Sequence, residues 1–232
     1  MESTLNNPNH MGEWLAAYAG IRRDCYAMLA SLLGQAPSER TLGILQNLQW
    51  DEAIPGKMDQ ALSRLRRAAC RLVPARIETE FNRLFVGMGC GEMVPYASWY
   101  QERMIQSSPL ARLRADLMHL GFVRKPDSCE SEDHAGALCE VMGLICRETN
   151  GIPHAAQAEF FERHVASWMG RFFRELQEAK NAEFYRAVAS FGVCFLEAES
   201  EYLNVDVNSE ISNPKGGLHN EKRNHRQPAH LH

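Results

Sequence analysis

The amino-acid sequence predicts an all-helical fold, and three observations support this prediction. Apolar residues recur at steps of three and four through most of residues 12–203, the spacing of one face of an α-helix. No long segment alternates apolar and polar residues in the manner of a β-strand. Serine, proline and glycine residues stand where helices would start and stop. The sequence therefore predicts a helical domain over residues 1–203.

Four helices are predicted ahead of the glycines at positions 87, 89 and 91. The first ends near Gly34 and Pro37, and Ser38 can cap the second. The third carries arginines mostly on its outer face and stops before Pro74. The predicted ranges are residues 12–33, 38–48, 57–73 and 75–86.

Four further helices are predicted in the second half of the chain. Ser108-Pro109 suits a helix start, and Gly121 suits its end. The widest apolar stripe extends from Phe160 to Leu176, and we interpret it as core rather than as a ligand site. The predicted ranges are residues 108–121, 132–149, 155–178 and 182–203.

Residues 204–232 differ in composition from the rest of the chain. They contain no aromatic residue, five asparagines, two prolines and four histidines. Such a segment buries too little apolar surface to offset the entropy lost on ordering. We predict a flexible, His/Asn-rich tail.

The composition narrows the class of protein. Hydrophobic residues make up 45% of the 232 residues and charged residues 23%, and the formal net charge of −4 does not favour nucleic acid as a partner. No run of about eighteen apolar residues and no export signal is visible. The seven cysteines lack C-x-x-C spacing, and we predict that they are reduced thiols. We expect a cytoplasmic protein without a membrane span.

Two stretches combine most of the unusual chemistry. Residues 81–100, FNRLFVGMGCGEMVPYASWY, contain three glycines that permit a bend or a close backbone approach. Three aromatic residues follow Pro95, and so large an apolar surface must face a core or a ligand. The second stretch, ESEDH at residues 130–134, lies about thirty residues further on. We hypothesise that the two stretches build one peptide-binding surface.

Asp133 and His134 allow two interpretations. Carboxylates favour the N-terminus of a helix, in which case His134 would only pack locally. Alternatively, Asp133 offers its carboxylate to a guanidinium group at the edge of an apolar groove. The spacing does not decide between the two. Core and groove are equally supported for the apolar residues that flank the glycine-rich bend, which are Phe81, Leu84, Phe85, Pro95, Tyr96 and Trp99.

Signals for a metal site or an enzyme are weak. His134, Cys139, Cys146 and His164 lack the two- to four-residue spacing of a structural zinc site. The phosphate loop, H-E-x-x-H and G-x-S-x-G motifs are absent from the sequence. The glycines at 87–91 follow a helix, whereas a nucleotide loop follows a strand.

Three motifs resemble the TorD/DmsD family of redox-enzyme maturation proteins, the cytoplasmic chaperones of exported molybdoenzymes. The motifs are E-F-N-R-L-F-V-G at 80–87, V-P-Y-A-S-W-Y at 94–100 and E-S-E-D-H at 130–134. The resemblance covers roughly residues 14–203. Ser131 stands where the family usually has proline, which changes the stiffness of that loop.

The resemblance implies a fold of two lobes, about residues 12–86 and 95–203, joined by a glycine-rich hinge. It implies no enzymatic activity and no resident cofactor, although weak binding of a nucleotide or of a molybdenum-cofactor precursor stays open. It also implies binding of the twin-arginine signal peptide of an apo-molybdoenzyme, with export held back until the cofactor is inserted. The residues to which peptide binding is carried over are Phe81, Leu84, Phe85, Pro95, Tyr96, Trp99, Glu130, Asp133 and His134.

The client and the assembly state are further expectations. The form of residues 95–100 and 113–122 is similar to the branch found with formate dehydrogenases. We expect a monomer, while a glycine-rich hinge also permits a domain-swapped dimer. The rival functions are a nucleotide-dependent hydrolase using Asp133 and His134, a helical interaction protein without leader specificity, and metal delivery by the histidine tail.

Overall fold

The computed structural model describes residues 8–50, 56–87, 91–101, 108–124, 131–212 and 229–231. Helices dominate these residues, and the all-α prediction is confirmed. In chain order the helices are α1 (Pro8–Gly34), α2 (Glu39–Gln46), α3 (Gly56–Arg71), α4 (Pro74–Phe81), α5 (Ala97–Gln101), α6 (Pro109–His119), α7 (Ala135–Ile145), α8 (His154–Phe161), α9 (Ser167–Glu178) and α10 (Phe184–Ser212). A short 3₁₀ turn, Glu148–Asn150, follows α7.

Two of the predicted helices change their winding. α4 continues into a π-helical turn, Asn82–Val86, in which the Gly87 N–H donates to the Asn82 carbonyl at 2.8 Å. α8 joins α9 through a second π-helical turn, Glu162–Ala166. Wider turns of this kind occur often at functional sites. The first one lies inside the stretch that the sequence analysis singles out.

The core is one cluster of buried apolar side chains that extends from Tyr18 to Leu203. α1 packs along α7, while α10 packs against α3, α8 and α9. Trp168 and its neighbours on α8 and α9 are buried, so the interpretation of that stripe as core is confirmed. Residues of both predicted lobes share the cluster, and the division into lobes at the glycine-rich loop stays a prediction.

A buried ion pair connects the two longest helices. Arg22 of α1 donates to both carboxylate oxygens of Glu199 on α10, at 2.7–3.1 Å, and Glu199 is fully buried. The hydroxyl groups of Tyr18 and Tyr26 donate to the same carboxylate at 3.2 and 3.0 Å. Burial alone would lower the pKa of Arg22, but its bonds to Glu199 outweigh burial and raise it. The buried negative charge of Glu199 is thus stabilised by one guanidinium group and two hydroxyl groups.

Three features were not predicted. The five-residue helix α5 forms within the aromatic cluster. Strands β1 (Phe122–Arg124) and β2 (Ala229–Leu231) pair in parallel, with Phe122 opposite Ala229. α10 also continues past Leu203 to Ser212, into the segment for which a flexible tail is predicted. Three-residue strands are too short to show alternation, and these two lie about a hundred residues apart.

The described cysteines are free thiols. Cys25, Cys70, Cys139, Cys146 and Cys194 form no disulfide, while Cys90 and Cys129 lie outside the described residues. Burial raises the pKa of both the Cys25 and the Cys146 thiol to about 12. Such protonated thiols are poor nucleophiles and poor metal ligands.

Candidate peptide-binding surface

The structure brings the two stretches together through the backbone. The Ala97 N–H donates to the Asp133 carbonyl at 2.9 Å, and the Ala135 N–H donates to the Pro95 carbonyl at 2.8 Å. These bonds form a single antiparallel bridge between Tyr96 and His134, whose rings meet edge to face with centroids 5.1 Å apart. Residues 95–97 and 133–135 therefore form one unit, which we call the bridge.

Asp133 uses its carboxylate within the chain. The side chain is buried, with one oxygen accepting from the Ser98 N–H at 2.9 Å and the other from the Ser131 hydroxyl at 2.6 Å. Ser98 lies in the first turn of α5, so Asp133 caps that helix from a distant part of the chain. The carboxylate thus has no oxygen exposed for the guanidinium group that the sequence analysis considered.

His134 is the N-cap residue of α7. Its Nδ1 accepts a hydrogen bond from the Gly136 N–H at 3.1 Å, and the side chain is buried. Because Nδ1 accepts, the proton of the neutral ring lies on Nε2. Both members of the acid–histidine pair therefore satisfy helix N-termini, Asp133 at α5 and His134 at α7. This is closer to the local, helix-capping interpretation than to a ligand pair at the lip of a groove.

The apolar members of the surface divide into buried and exposed residues. Phe81, Leu84 and Pro95 are buried, Phe85 and Tyr96 are partly exposed, and the Trp99 side chain is 65% exposed. Glu130 lies outside the described residues. The three buried residues therefore belong to the core. In this conformation only Phe85, Tyr96 and Trp99 could contact a ligand.

An aromatic cluster supports the π-helical turn from below. The rings of Phe81 and Phe85 lie 5.1 Å apart, and each contacts Tyr185 at the start of α10, at 5.9 and 5.1 Å. The Tyr185 hydroxyl in turn donates to the Leu32 carbonyl of α1 at 2.9 Å. Phe85 therefore contacts α10 directly and is connected to α1 through Tyr185.

The described end of the glycine-rich loop, residues 91–93, lies directly against the π-helical turn, while Gly89 lies outside the described residues. The Met93 N–H donates to the Leu84 carbonyl at 2.7 Å, and the Glu92 N–H donates to the Arg83 carbonyl at 3.2 Å. A Cβ atom at Gly91 would lie 2.4 Å from the Leu84 carbonyl oxygen. This close approach requires glycine at position 91.

Two carboxylates that the sequence analysis missed hold this region to the α9–α10 connection. The buried Glu80 accepts the N–H groups of Glu183, Phe184 and Tyr185 at 2.7, 3.0 and 2.8 Å. Glu80 thereby caps α10, although about a hundred residues separate it from that helix. No local signal in the sequence marks this pairing.

Glu92 acts in the same way from the glycine-rich loop. Its carboxylate accepts the N–H of Lys180, and it accepts the N–H and the side-chain amide of Asn181 at 3.1 and 2.6 Å. Burial would raise the pKa of Glu92, but the hydrogen bonds from Asn181 and Lys180 outweigh it and lower the pKa.

The remaining described carboxylate of the second motif, Glu132, forms an ion pair. The Arg114 guanidinium group of α6 donates to both Glu132 oxygens, at 3.1 and 3.0 Å. The Arg114 side chain is half exposed, whereas Glu132 is largely buried. This two-pronged contact has the geometry by which a carboxylate recognises an arginine. Within the described residues, this carboxylate is therefore already occupied by an arginine of the chain itself.

A separate apolar groove was also missed. It has a volume of about 490 Å³ and lies between α1, α2 and α3, and the exposed Ile44 stands at its edge. Its residues recur at ordinary helical spacing, so the sequence offers no reason to separate them from core. Among its lining residues are Ile21, Met28, Ile44, Leu48, Trp50 and Leu62.

The described residues contain neither a metal-binding cluster nor a membrane-spanning helix. Within the described residues, no group of three histidine, cysteine, aspartate or glutamate side chains is arranged to hold a metal ion. His164 instead bonds to Asp116 at 2.7 Å. No described helix is both long enough and apolar enough to span a bilayer.

Comparison with known proteins identifies the family. The family model described as nitrate reductase delta subunit matches residues 51–174, which is 124 of 232 residues. The chain is 24% identical to the chaperone protein TorD of Aliivibrio salmonicida over 209 residues, covering 82% of this chain and 97% of the relative. It is 23% identical to TorD of Aliivibrio fischeri with the same coverage, and 21% identical to TorD of Vibrio atlanticus, covering 81% and 96%.

These relatives are named as chaperones and not as enzymes, which supports the prediction that the chain has no enzymatic activity. The match extends over most of the chain and includes all three motifs on which the resemblance rests. The chain belongs to the nitrate reductase delta subunit family, the family of TorD-like chaperones.

Proposed function

We propose that this protein is a maturation chaperone that binds the twin-arginine leader of an apo-molybdoenzyme. Membership of a family of named chaperones supports the role. The observation that carries the proposal at the level of residues is the bridge. It joins the two motif stretches, and the exposed Trp99 follows Tyr96 by three residues.

The proposed leader-binding surface consists of Phe85, Tyr96 and Trp99, with Glu132 at its acidic side. A leader has an apolar stretch that can fold into a helix, and such helices bind through side chains at steps of three and four. Tyr96 and Trp99 are themselves three residues apart, which suits such a contact. Phe81, Leu84, Pro95, Asp133 and His134 position this surface from beneath.

The charges suit a cationic leader. Glu132 already makes a two-pronged contact with the half-exposed Arg114, and an arginine of the leader would bind Glu132 in the same geometry by taking the place of Arg114. The overall net charge of −4 also favours a cationic peptide over an anionic one. Weak, reversible binding follows from such an exposed site and is what a chaperone that releases its client requires.

The finer parts of the proposal concern the client, the location and the state of the protein. We propose a cytoplasmic monomer whose client is a formate dehydrogenase or a related reductase. No resident cofactor is needed for this function. Titration with nucleotides and with a molybdenum-cofactor precursor tests that part of the proposal separately.

The site is tested by isothermal titration calorimetry with a synthetic leader peptide. Trp99→Ala removes the most exposed aromatic side chain of the surface, and we expect leader affinity to fall about tenfold, because aromatic anchors dominate such contacts. The matched control is Ile44→Ala, which removes an exposed apolar side chain at the separate groove.

The two variants distinguish leader binding itself from the surface of the protein on which the leader binds. A loss with Trp99→Ala and none with Ile44→Ala supports the proposed surface. A loss with Ile44→Ala alone would place the leader in the groove between α1, α2 and α3, and would contradict the surface while leaving the chaperone function intact.

A further inference from the structure

The outer face of α3 carries a row of cations that the proposed function does not use. The row consists of four cations and one glutamine at steps of three and four residues, all exposed: Lys57, Gln60, Arg64, Arg67 and Arg71. This spacing places them on one side of the helix, opposite the buried Met58, Leu62 and Leu65. We call these five residues the basic stripe. Its fourteen residue steps extend over about 21 Å at about 1.5 Å per residue.

The charge of α3 contrasts with that of the whole chain. α3 contains five cations and one aspartate, a net charge of +4, whereas the chain has a net charge of −4 and the remainder therefore −8. A concentrated positive patch on an acidic protein produces a local field that attracts negative partners.

The fold leaves most of this charge unpaired. Within the described part of the chain, the guanidinium groups of Arg64, Arg67 and Arg71 form no ion pair and no hydrogen bond, while Lys57 Nζ lies 3.5 Å from a carboxylate oxygen of Glu197. Arginines on other elements do pair, as Arg76 does with Glu183 at 2.8 Å.

Two hollows border the basic stripe. One of about 250 Å³ is lined by Arg64, Arg67 and Arg71, together with Ala68, Leu72 and Glu183. The other, of about 180 Å³, contains Lys57, Gln60 and Arg64, facing Gln177, Ser190 and Cys194. Arg64 lines both hollows, so the two adjoin at its side chain.

We propose that the basic stripe binds an acidic helix of a partner protein. Carboxylates at steps of three and four on such a helix would meet the cations in register, which is the arrangement that gives electrostatic specificity. Arginine suits this role because its planar group binds carboxylates with two hydrogen bonds.

Other occupants fit the stripe less well. A single phosphate group is far shorter than the stripe. A nucleic acid duplex carries one negative charge per about 1.7 Å of its axis, about twelve over the length of the stripe, which is far more than the four cations of the stripe can match on a chain of net charge −4. A twin-arginine leader is itself cationic and would be repelled, so the stripe is a second contact distinct from the leader-binding surface.

The test uses the full chain and a labelled, alanine-based helical peptide of about eighteen residues with glutamates at steps of three and four. Fluorescence anisotropy should show binding that weakens as salt is added. The double variant Arg64→Glu/Arg67→Glu should lose affinity for this peptide by tenfold or more, since it replaces attraction with repulsion. The control, Arg66→Glu, reverses an exposed charge on the opposite edge of α3 and should change affinity less than about twofold.

Further measurements decide the class of partner. A peptide of the same composition with its glutamates shuffled should bind at least about tenfold more weakly, and leader affinity should be unchanged in the double variant. Equal binding of the shuffled peptide, equal loss in Arg66→Glu, or tighter binding of pyrophosphate or of a single-stranded oligonucleotide would each overturn the proposal. Circular dichroism of both variants checks that the helices are intact.

Discussion

Asp133 and His134 show how a reactive-looking pair of side chains can serve the backbone. A buried carboxylate is costly unless it is hydrogen-bonded, and Asp133 meets that requirement with the Ser98 N–H and the Ser131 hydroxyl. His134 does the same for the first turn of α7 through Gly136. The pair therefore sets the position of the bridge, and its effect on a ligand would be exerted through Tyr96 and α5.

At this scale we predict that Asp133→Ala destabilises the protein. The variant leaves the Ser98 N–H and the Ser131 hydroxyl without their acceptor, and we expect the free energy of unfolding to fall by about 1–3 kcal/mol. Urea denaturation followed by circular dichroism measures this. Asp133→Asn keeps one acceptor oxygen and should lose less. An unchanged urea midpoint in Asp133→Ala would contradict the capping role.

At the scale of residues, the sequence indicates which side chains belong to the motifs but not whether each one is buried or exposed. The motifs marked Phe81, Leu84 and Trp99 equally, yet the structure buries the first two and exposes the third. Helical periodicity does not separate them, because the π-helical turn shifts the faces of the helix and α5 begins a new one. Glu80 and Glu92 were missed because their partners lie about ninety to a hundred residues away.

At the scale of elements, backbone hydrogen bonds join the π-helical turn to residues 91–93 at the end of the glycine-rich loop. The loop donates to the carbonyls of Arg83 and Leu84, while Glu80 and Glu92 connect both segments to the α9–α10 connection. The bridge connects residues 95–97 to residues 133–135 and thereby to the start of α7. The proposed leader-binding surface is thus held by backbone contacts more than by its own side chains.

Gly91→Ala tests this arrangement. The added methyl group would lie 2.4 Å from the Leu84 carbonyl oxygen, so the loop must move, and we expect a loss of about 1–3 kcal/mol in the free energy of unfolding. Gly43→Ala is the matched control, because nothing lies within 4 Å of a Cβ atom there and the site is inside α2.

The control should change stability in the opposite direction. Alanine in place of a helical glycine is expected to stabilise by about 0.5–1 kcal/mol. Thermal denaturation of the two variants and the parent protein gives both values. If Gly91→Ala were as stable as the parent, the close contact between the loop and the π-helical turn would not exist in solution.

For the whole molecule, the ion pair between Arg22 and Glu199 joins the first and last helices. It is buried, and Tyr18 and Tyr26 supply the remaining hydrogen bonds to the carboxylate. Burial raises the pKa of both tyrosines, and the negative charge of Glu199 raises them further. The tyrosines therefore stay protonated and act as donors at ordinary pH.

Glu199→Gln removes the charge that compensates Arg22. A buried guanidinium group without its partner is costly, so we expect the free energy of unfolding to fall by about 3–5 kcal/mol. Asp24→Asn, which removes the partner of Arg23 at the surface, should change it by less than about 1 kcal/mol. Guanidinium denaturation compares the two, and equal effects would show that the buried pair has no special role.

Most of the architecture could be predicted because long amphipathic helices carry their own signal. The helices predicted over residues 12–33, 57–73 and 155–178 correspond to α1, α3 and the α8–α9 run. The pairing of β1 with β2 and the extension of α10 could not be predicted, since their residues show neither alternation nor a wide apolar stripe. How the helices share one core across the glycine-rich loop depends on packing between distant segments.

The central claim is that the protein recognises a leader by its two arginines as well as by its apolar stretch. Calorimetry with the parent protein and two synthetic leaders, one with both arginines and one with both replaced by glutamine, tests it directly. We predict micromolar binding, about −8 kcal/mol, for the first leader and at least tenfold weaker binding for the second. Equal affinity for the two leaders would contradict the claim and leave only a general interaction protein.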